Sequence, residues 1–242
     1  MTGSGYGGFD LPWLLHHLTV EPASGRLAVA AKGLSALEAY LQGRYNMYRN
    51  VYFHKVVRSA EGMLRLALHR ARDLDCQGQG LWSAGSEALR RALTGQSLSI
   101  AQFTELDDVS VLQQFKAWMT CGDKMLSDLC HGLLYRKLYK SVDLTQHDDD
   151  ARSRFLADAA SAVTRAGGDP AIHLFYDEPA DTPYETFRPD GRGADEIIIL
   201  DDAGRSVPFG RLSAVSAVLN RQLMFRRLHV APQFAPLLSS LT

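Results

Sequence analysis

The stretch GLSALEAYLQGRYNMYRNVYFHKVVRSAEGML, residues 33–64, decides the fold class. Leu34, Leu37 and Leu41, then Val56, Ala60, Met63, Leu64, Ala67 and Leu68, recur at steps of three and four residues. That spacing predicts helix for about forty residues, with these side chains on one buried stripe. Gly43 interrupts the pattern and predicts a break between two helices. The fold class that follows is mainly α-helical with a small α+β C-terminal region, a long central helix and a short hairpin near the N-terminus.

On the N-terminal side, Phe9 to Leu18 reads as a short helix with Asp10 as N-cap and Pro12 in its first turn. Leu18 to Glu21 and Arg26 to Ala30 flank Pro22, Ser24 and Gly25, which predicts a hairpin. On the C-terminal side, further helices are expected over Ser83 to Leu93, Asp107 to Met119 and Lys124 to Leu134. A strand is expected within Arg136 to Leu144. Asp148, Asp149 and Asp150 then open a helix that Gly167 and Gly168 stop. The last third turns β-like, with strands at Ala171 to Tyr176 and Glu196 to Leu200. Asp202-Ala203-Gly204 would turn the second of these onto Ser206 to Phe209, before a final helix over Leu212 to Leu228. Residues 1–145 are read as a helical region and residues 146–242 as an α+β subdomain.

Of the 242 residues, 46% are hydrophobic, and 26 basic against 27 acidic side chains leave a net charge of -1. This excludes a disordered tail and a polycation that binds nucleic acid by bulk charge. No apolar run is long enough for a membrane span, and the start MTGSGYGGFDLPWLL has no basic region ahead of an apolar core. Cys76, Cys121 and Cys130 form no close pair and read as buried thiols of a reducing compartment, so a cytoplasmic protein is expected.

Neutrality hides a segregation of charge. Arg44, Arg49, Lys55, Arg58, Arg65, Arg70 and Arg72 face one acid, Glu61, whereas Asp143 to Asp202 contains fifteen acids against five arginines. In one continuous helix Arg44, Tyr48, Tyr52 and Lys55 would share a face about 16 Å long. Guanidinium and ammonium groups suit phosphate oxygens, and tyrosine suits a sugar hydroxyl or a base, so this face suits a nucleotide. A solvated helix face with snorkelling arginines is the other reading of the same spacing.

Residues 33–64, together with GFDLPWLLHHLTVEPASGRLAV at 8–29, resemble the HD-domain deoxynucleoside triphosphate triphosphohydrolases. The likeness is nearest to their bacterial phosphohydrolase branch and more distant to the SAM-and-HD-domain enzyme of animals. It continues through FTELDDVSVLQQF (103–115), LLYRKLYKSVDL (133–144) and EIIILDDAGRSVPFGRLSAVSAVL (196–219). The resemblance implies hydrolysis of a dNTP to deoxynucleoside and triphosphate by a homo-oligomer that uses a divalent metal. It puts Arg44 on the phosphates and Tyr52 near the sugar or base. Lys32, His54 and Lys55 match positions that hold a regulatory nucleotide in the animal enzyme.

Three departures qualify it. Phe53 stands where the animal enzyme has a polar amide. Ser127 and His131 fall where it has a basic regulatory pair. The HD motif and the later metal-binding Asp belong before the glycine-rich loop of Gly3, Gly5, Gly7 and Gly8, where this chain begins. The metal ligands are therefore expected in a separate or missing HD catalytic domain, with no cofactor site in this chain. His16-His17 point to different helix faces, and His147 with Asp148 to Asp150 reads as a helix cap. Met119, Met125 and Trp118 read as core. The alternative function is a non-catalytic nucleotide-sensing or oligomerisation module.

Overall fold

The computed structural model describes residues 7–181, 196–219 and 222–239; Gly3 and Gly5 lie outside them. The chain forms two compact units, Met1–His54 with Glu178–Phe225, and Lys55–Asp177 with Arg226–Thr242. The division does not follow the expected boundary at 145/146. Each unit joins helical segments to strands supplied from far along the sequence, which local composition does not reveal. The architecture is mainly α-helical with small sheets.

In the first unit, helix α1 (Leu11–His16) starts where the Asp10 carboxylate accepts the Trp13 N–H at 3.0 Å. Strands β1 (Leu18–Val20) and β2 (Leu27–Ala30) form the expected hairpin, with Leu18 opposite Val29. A single 3-10 turn, Ala31–Gly33, leads into α2 (Leu34–Met47). Gly43 does not break this helix. A Cβ there would lie 3.0 Å from the Cα of Gly7, so its missing side chain admits a neighbouring backbone.

The helix widens instead into a π turn, Tyr48–Tyr52, where the Phe53 N–H reaches the Tyr48 carbonyl at 2.9 Å. The chain leaves helical conformation at Phe53 and His54, and α3 (Lys55–Cys76) begins anew. The expected single stripe is thereby two. Leu37 and Leu41 join Leu14, Val29, Ile199, Phe209 and Leu219 in the core of the first unit. Met63 and Ala67 serve the second unit's core, while Val56 and Leu64 are 40% and 38% exposed.

In the second unit, α3 packs on α7 (Lys124–Leu134). Arg70 grips Asp123 through Nη2 at 2.6 Å, and the same carboxylate caps α7 by accepting the Leu126 N–H at 2.8 Å. The expected helices appear as α4 (Glu87–Leu93) and α6 (Asp108–Trp118). Between them lies an unanticipated α5 (Ile100–Thr104), nucleated by a reciprocal cap of Ser99 and Gln102. Trp118 is fully buried in this core.

Helix α7 ends with paired backbone bonds, Lys137 N–H to Gly132 O at 2.8 Å and Arg136 N–H to Leu133 O at 3.2 Å. This closing geometry places Arg136 at φ 56, where glycine is the usual occupant. A side chain costs about 1–2 kcal/mol in that left-handed region. Strand β3 (Lys140–Asp143) and helix α8 (Asp149–Arg165) follow, with Asp148 accepting the Ala151 N–H at 2.7 Å. Ala171 to Tyr176 divides into a short helix α9 (Pro170–His173) and strand β4 (Leu174–Asp177).

Beyond β5 (Ala180–Asp181), β6 (Ile198–Leu200) lies parallel to β2, and β7 (Ser206–Pro208) returns antiparallel through the Asp202–Gly204 turn. The final helix expected over Leu212 to Leu228 is absent among the described residues. That segment instead holds the end of α10 (Phe209–Leu212), α11 (Ser216–Leu219), β8 (Leu223–Met224) and the start of β9 (Arg227–Val230). Strand β9 lies between β3 and β4 with all four residues buried. A strand covered on both faces carries no alternation by which to recognise it. The thiols also differ from expectation, since Cys130 is buried, Cys121 partly so and Cys76 exposed.

Candidate functional site

The last two turns of α2 and the π turn build one wall of a pocket of about 270 Å³ in the first unit. Arg44, Tyr48 and Tyr52 all line it, together with Gly7, Phe9, Tyr40, Gly43 and Met47. A helix places residues four apart on one face, and the wider π turn carries Tyr52 on from Tyr48. The two tyrosine rings meet edge to face at 5.1 Å, and Phe9 and Tyr40 make a second such pair at 5.1 Å.

Arg44 and Tyr48 are coupled. The Arg44 guanidinium donates from Nη2 to the Tyr48 hydroxyl at 3.2 Å, and its carbon lies 5.1 Å from that ring's centroid. The same hydroxyl donates to Asp181 of β5, and this bond, more than partial burial, raises the phenol's pKa above its ordinary value. The pocket thus combines an exposed cation, a phenol fixed by a carboxylate and half-exposed aromatic edges. Such a set can hold a phosphate at one end and a ring or sugar at the other.

The other expected residues do not join this pocket. Lys55 opens α3 in the second unit and lines a separate cavity there. Lys32 sits in the 3-10 turn, where its carbonyl accepts from Trp13 Nε1 at 3.2 Å. His54 is exposed in the break between helices, its N–H directed to the Val51 carbonyl at 3.2 Å. Phe53 is buried against Tyr48 and Phe225, at ring distances of 5.7 and 6.1 Å, and does not line the pocket. Sequence reading missed Asp181, which no local spacing could link to Tyr48. It also missed Phe9 and Tyr40.

The described residues do not fit the metal that the resemblance implies. Among the described residues there is no group of three or more His, Cys, Asp or Glu able to hold an ion. His17 directs Nδ1 to the Trp13 carbonyl at 2.8 Å and packs on that indole at 4.3 Å. Asp148 is occupied in capping α8. None of the described helices is long and apolar enough to cross a membrane.

Residues 9–79 match the family model of the HD associated region. The chain is 32% identical over 218 residues to the uncharacterized protein YwfO of Bacillus subtilis, an alignment covering 88% of this chain and 48% of YwfO. Among solved structures, a phosphohydrolase from Bacteroides thetaiotaomicron superposes with TM-score 0.74 at 23% identity, covering 93% of this chain and 56% of that one. A hypothetical protein from Aquifex aeolicus superposes with TM-score 0.66 at 24% identity, covering 99% and 53%. The chain spans about half the length of each of these three relatives. Residues 9–79 are thus similar to the HD associated region, and the chain shares its fold with the Bacteroides phosphohydrolase.

Proposed function

We propose that this chain is the C-terminal portion of an HD-type dNTP triphosphohydrolase, which converts a dNTP to deoxynucleoside and triphosphate. The observation that carries the reading is the meeting of Arg44, Tyr48 and Tyr52 in one pocket beside the Asp181 carboxylate. The half-length match to YwfO and the fold shared with a phosphohydrolase support it. Arg44 holds the phosphates, Tyr48 keeps the guanidinium in place, and Tyr52 presents a face or hydroxyl to the sugar or base. A divalent metal would be held by ligands outside the described residues and would supply the hydrolytic chemistry there.

Calorimetric titration with each dNTP tests the pocket. Wild type is expected to bind, and Arg44→Ala to bind at least tenfold more weakly, since a hydrogen bond to a charged group contributes about 1.5–3 kcal/mol. Absence of heat in both would sink the reading. On the same reading the purified chain binds dNTP without turnover. Triphosphate release by it with added Mn²⁺ or Mg²⁺ would show that the metal ligands lie within these residues.

A further inference from the structure

Gly43 is buried in the interior of α2, a place where alanine forms helix more readily than glycine. Its use is spatial. A Cβ at residue 43 would lie 3.0 Å from the Cα of Gly7, nearer than the separation of about 3.5–4.0 Å at which carbon atoms rest against one another. Gly7 is constrained in a different way. At φ 118 its backbone takes a conformation that side chains rarely adopt, although the space around it is ordinary, with Met47 Cγ 3.9 Å from the position of a Cβ. One glycine supplies room and the other supplies conformation, and both line the pocket of Arg44.

Their contact decides where the rest of that wall runs. Two residues on, the Phe9 ring meets Tyr40 edge to face at 5.1 Å and packs against the core of the first unit, after which Asp10 caps α1. Residues 7–9 are thus held to α2 at one end and to α1 at the other. Along α2, Tyr40, Gly43, Arg44 and Met47 stand at i, i+3, i+4 and i+7, so they share the face against which this segment lies. The segment is Gly-Gly-Phe and carries no charged side chain. It can set the width of the pocket and touch a flat or apolar part of a ligand, whereas the charge belongs to Arg44.

We propose that Gly43 is a specificity-determining positioning residue of the Arg44 pocket. By letting the Gly7 backbone onto α2, it sets the gap that receives the nucleoside end of a dNTP, and so separates nucleoside triphosphates from bare polyphosphate. The inference rests on the reading of that pocket as a dNTP site. Arg44 attracts phosphate whatever the width of the gap. The nucleoside end is more exacting, since a gap wider by about 0.5–1 Å forfeits a quarter to a half of the contact energy.

Calorimetry with EDTA present compares dATP with inorganic tripolyphosphate on wild type, Gly43→Ala and Gly43→Val. Wild type is expected to bind dATP at least tenfold more tightly than tripolyphosphate. Gly43→Ala should lower dATP affinity severalfold and Gly43→Val at least tenfold, while tripolyphosphate stays within twofold of wild type in both. Tm of Gly43→Ala should stay level or rise, because alanine favours the helix and the exposed Gly7 can give way, which separates a binding defect from a folding defect. A loss shared equally by dATP and tripolyphosphate, or dATP affinity unchanged in both variants, overturns the role given to Gly43. Failure of the underlying reading would show differently: wild type and Arg44→Ala would then bind dATP equally, or neither would give heat.

Discussion

The hydroxyl of Tyr48 accepts from Arg44 and donates to Asp181, so one phenol oxygen sets the position of the pocket's cation. Tyr48→Phe removes both bonds and keeps the ring contacts. It should weaken dNTP binding about fivefold, the size of one neutral hydrogen bond, with little change in Tm. Ultraviolet titration should find the Tyr48 phenol ionising above the ordinary tyrosine range, and Asp181→Asn should bring it down. Arg44, Tyr48 and Tyr52 were legible because a spacing of four is helical at any depth in a fold. Lys55 was misplaced because eleven residues of unbroken helix were assumed where a π turn and a two-residue break intervene. Asp181 was illegible, since its approach depends on β5 pairing with β8.

At the scale of elements, α3 touches the β3-β9-β4 sheet through the absence of a side chain at Gly62. A Cβ there would fall 2.1 Å from Phe175 Cζ, and the Phe175 ring is itself stacked on His229 at 4.5 Å. Gly62→Ala would normally favour a helix by about 1 kcal/mol. Here it should destabilise the protein by about 2 kcal/mol in denaturant unfolding, because overpacking against an immobile ring outweighs propensity.

His229 lies on β9 with no exposed surface. Its Nδ1 meets the Ser141 hydroxyl at 2.9 Å, and Nε2 has no hydrogen-bond partner among the described residues. Asp177, 4.0 Å away, is committed to Arg58, and burial pushes the imidazole down to about 4. The folded chain keeps this histidine neutral while the unfolded chain protonates it, so the unfolded state binds more protons between pH 6.5 and about 4. Stability should therefore fall by about 3 kcal/mol as pH drops through that window. His229→Gln should flatten the slope, as read from urea midpoints at successive pH values.

The helices of the second unit were the legible elements, because caps such as Asp107, Asp123 and Asp148 stand next to the periodicity they start. The first half of strand β9, Arg227 and Leu228, was read as the end of a helix. Its neighbours in the sheet lie more than fifty residues earlier, and full burial erases the alternating pattern.

At the scale of the molecule, the charge segregation seen in the sequence is only partly a surface property. Arg58 is taken up by Asp177 and Arg70 by Asp123, so two of the helix cations serve structure. Arg136, Lys137 and Lys140 lie outside that basic stretch, so counting charge along it passed over them. The hydrophobic stripe likewise divided between two cores, a split that periodicity cannot register when a single run of chain serves both.

Both units are assembled from pieces distant in sequence. Strand β2 waits for β6, with Ala28 opposite Ile198, and β3 and β4 wait for β9, with Lys140 and Leu174 both opposite Val230. Removing the chain from Arg226 onward should leave β3 and β4 without their shared partner, and circular dichroism with limited proteolysis should report a largely unfolded second unit. During synthesis the same connectivity means that β3 and β4 cannot join into one sheet until β9, about fifty residues beyond β4, has left the ribosome. Until then the edges of β3 and β4 stay open, which exposes the second unit to strand-edge association during synthesis.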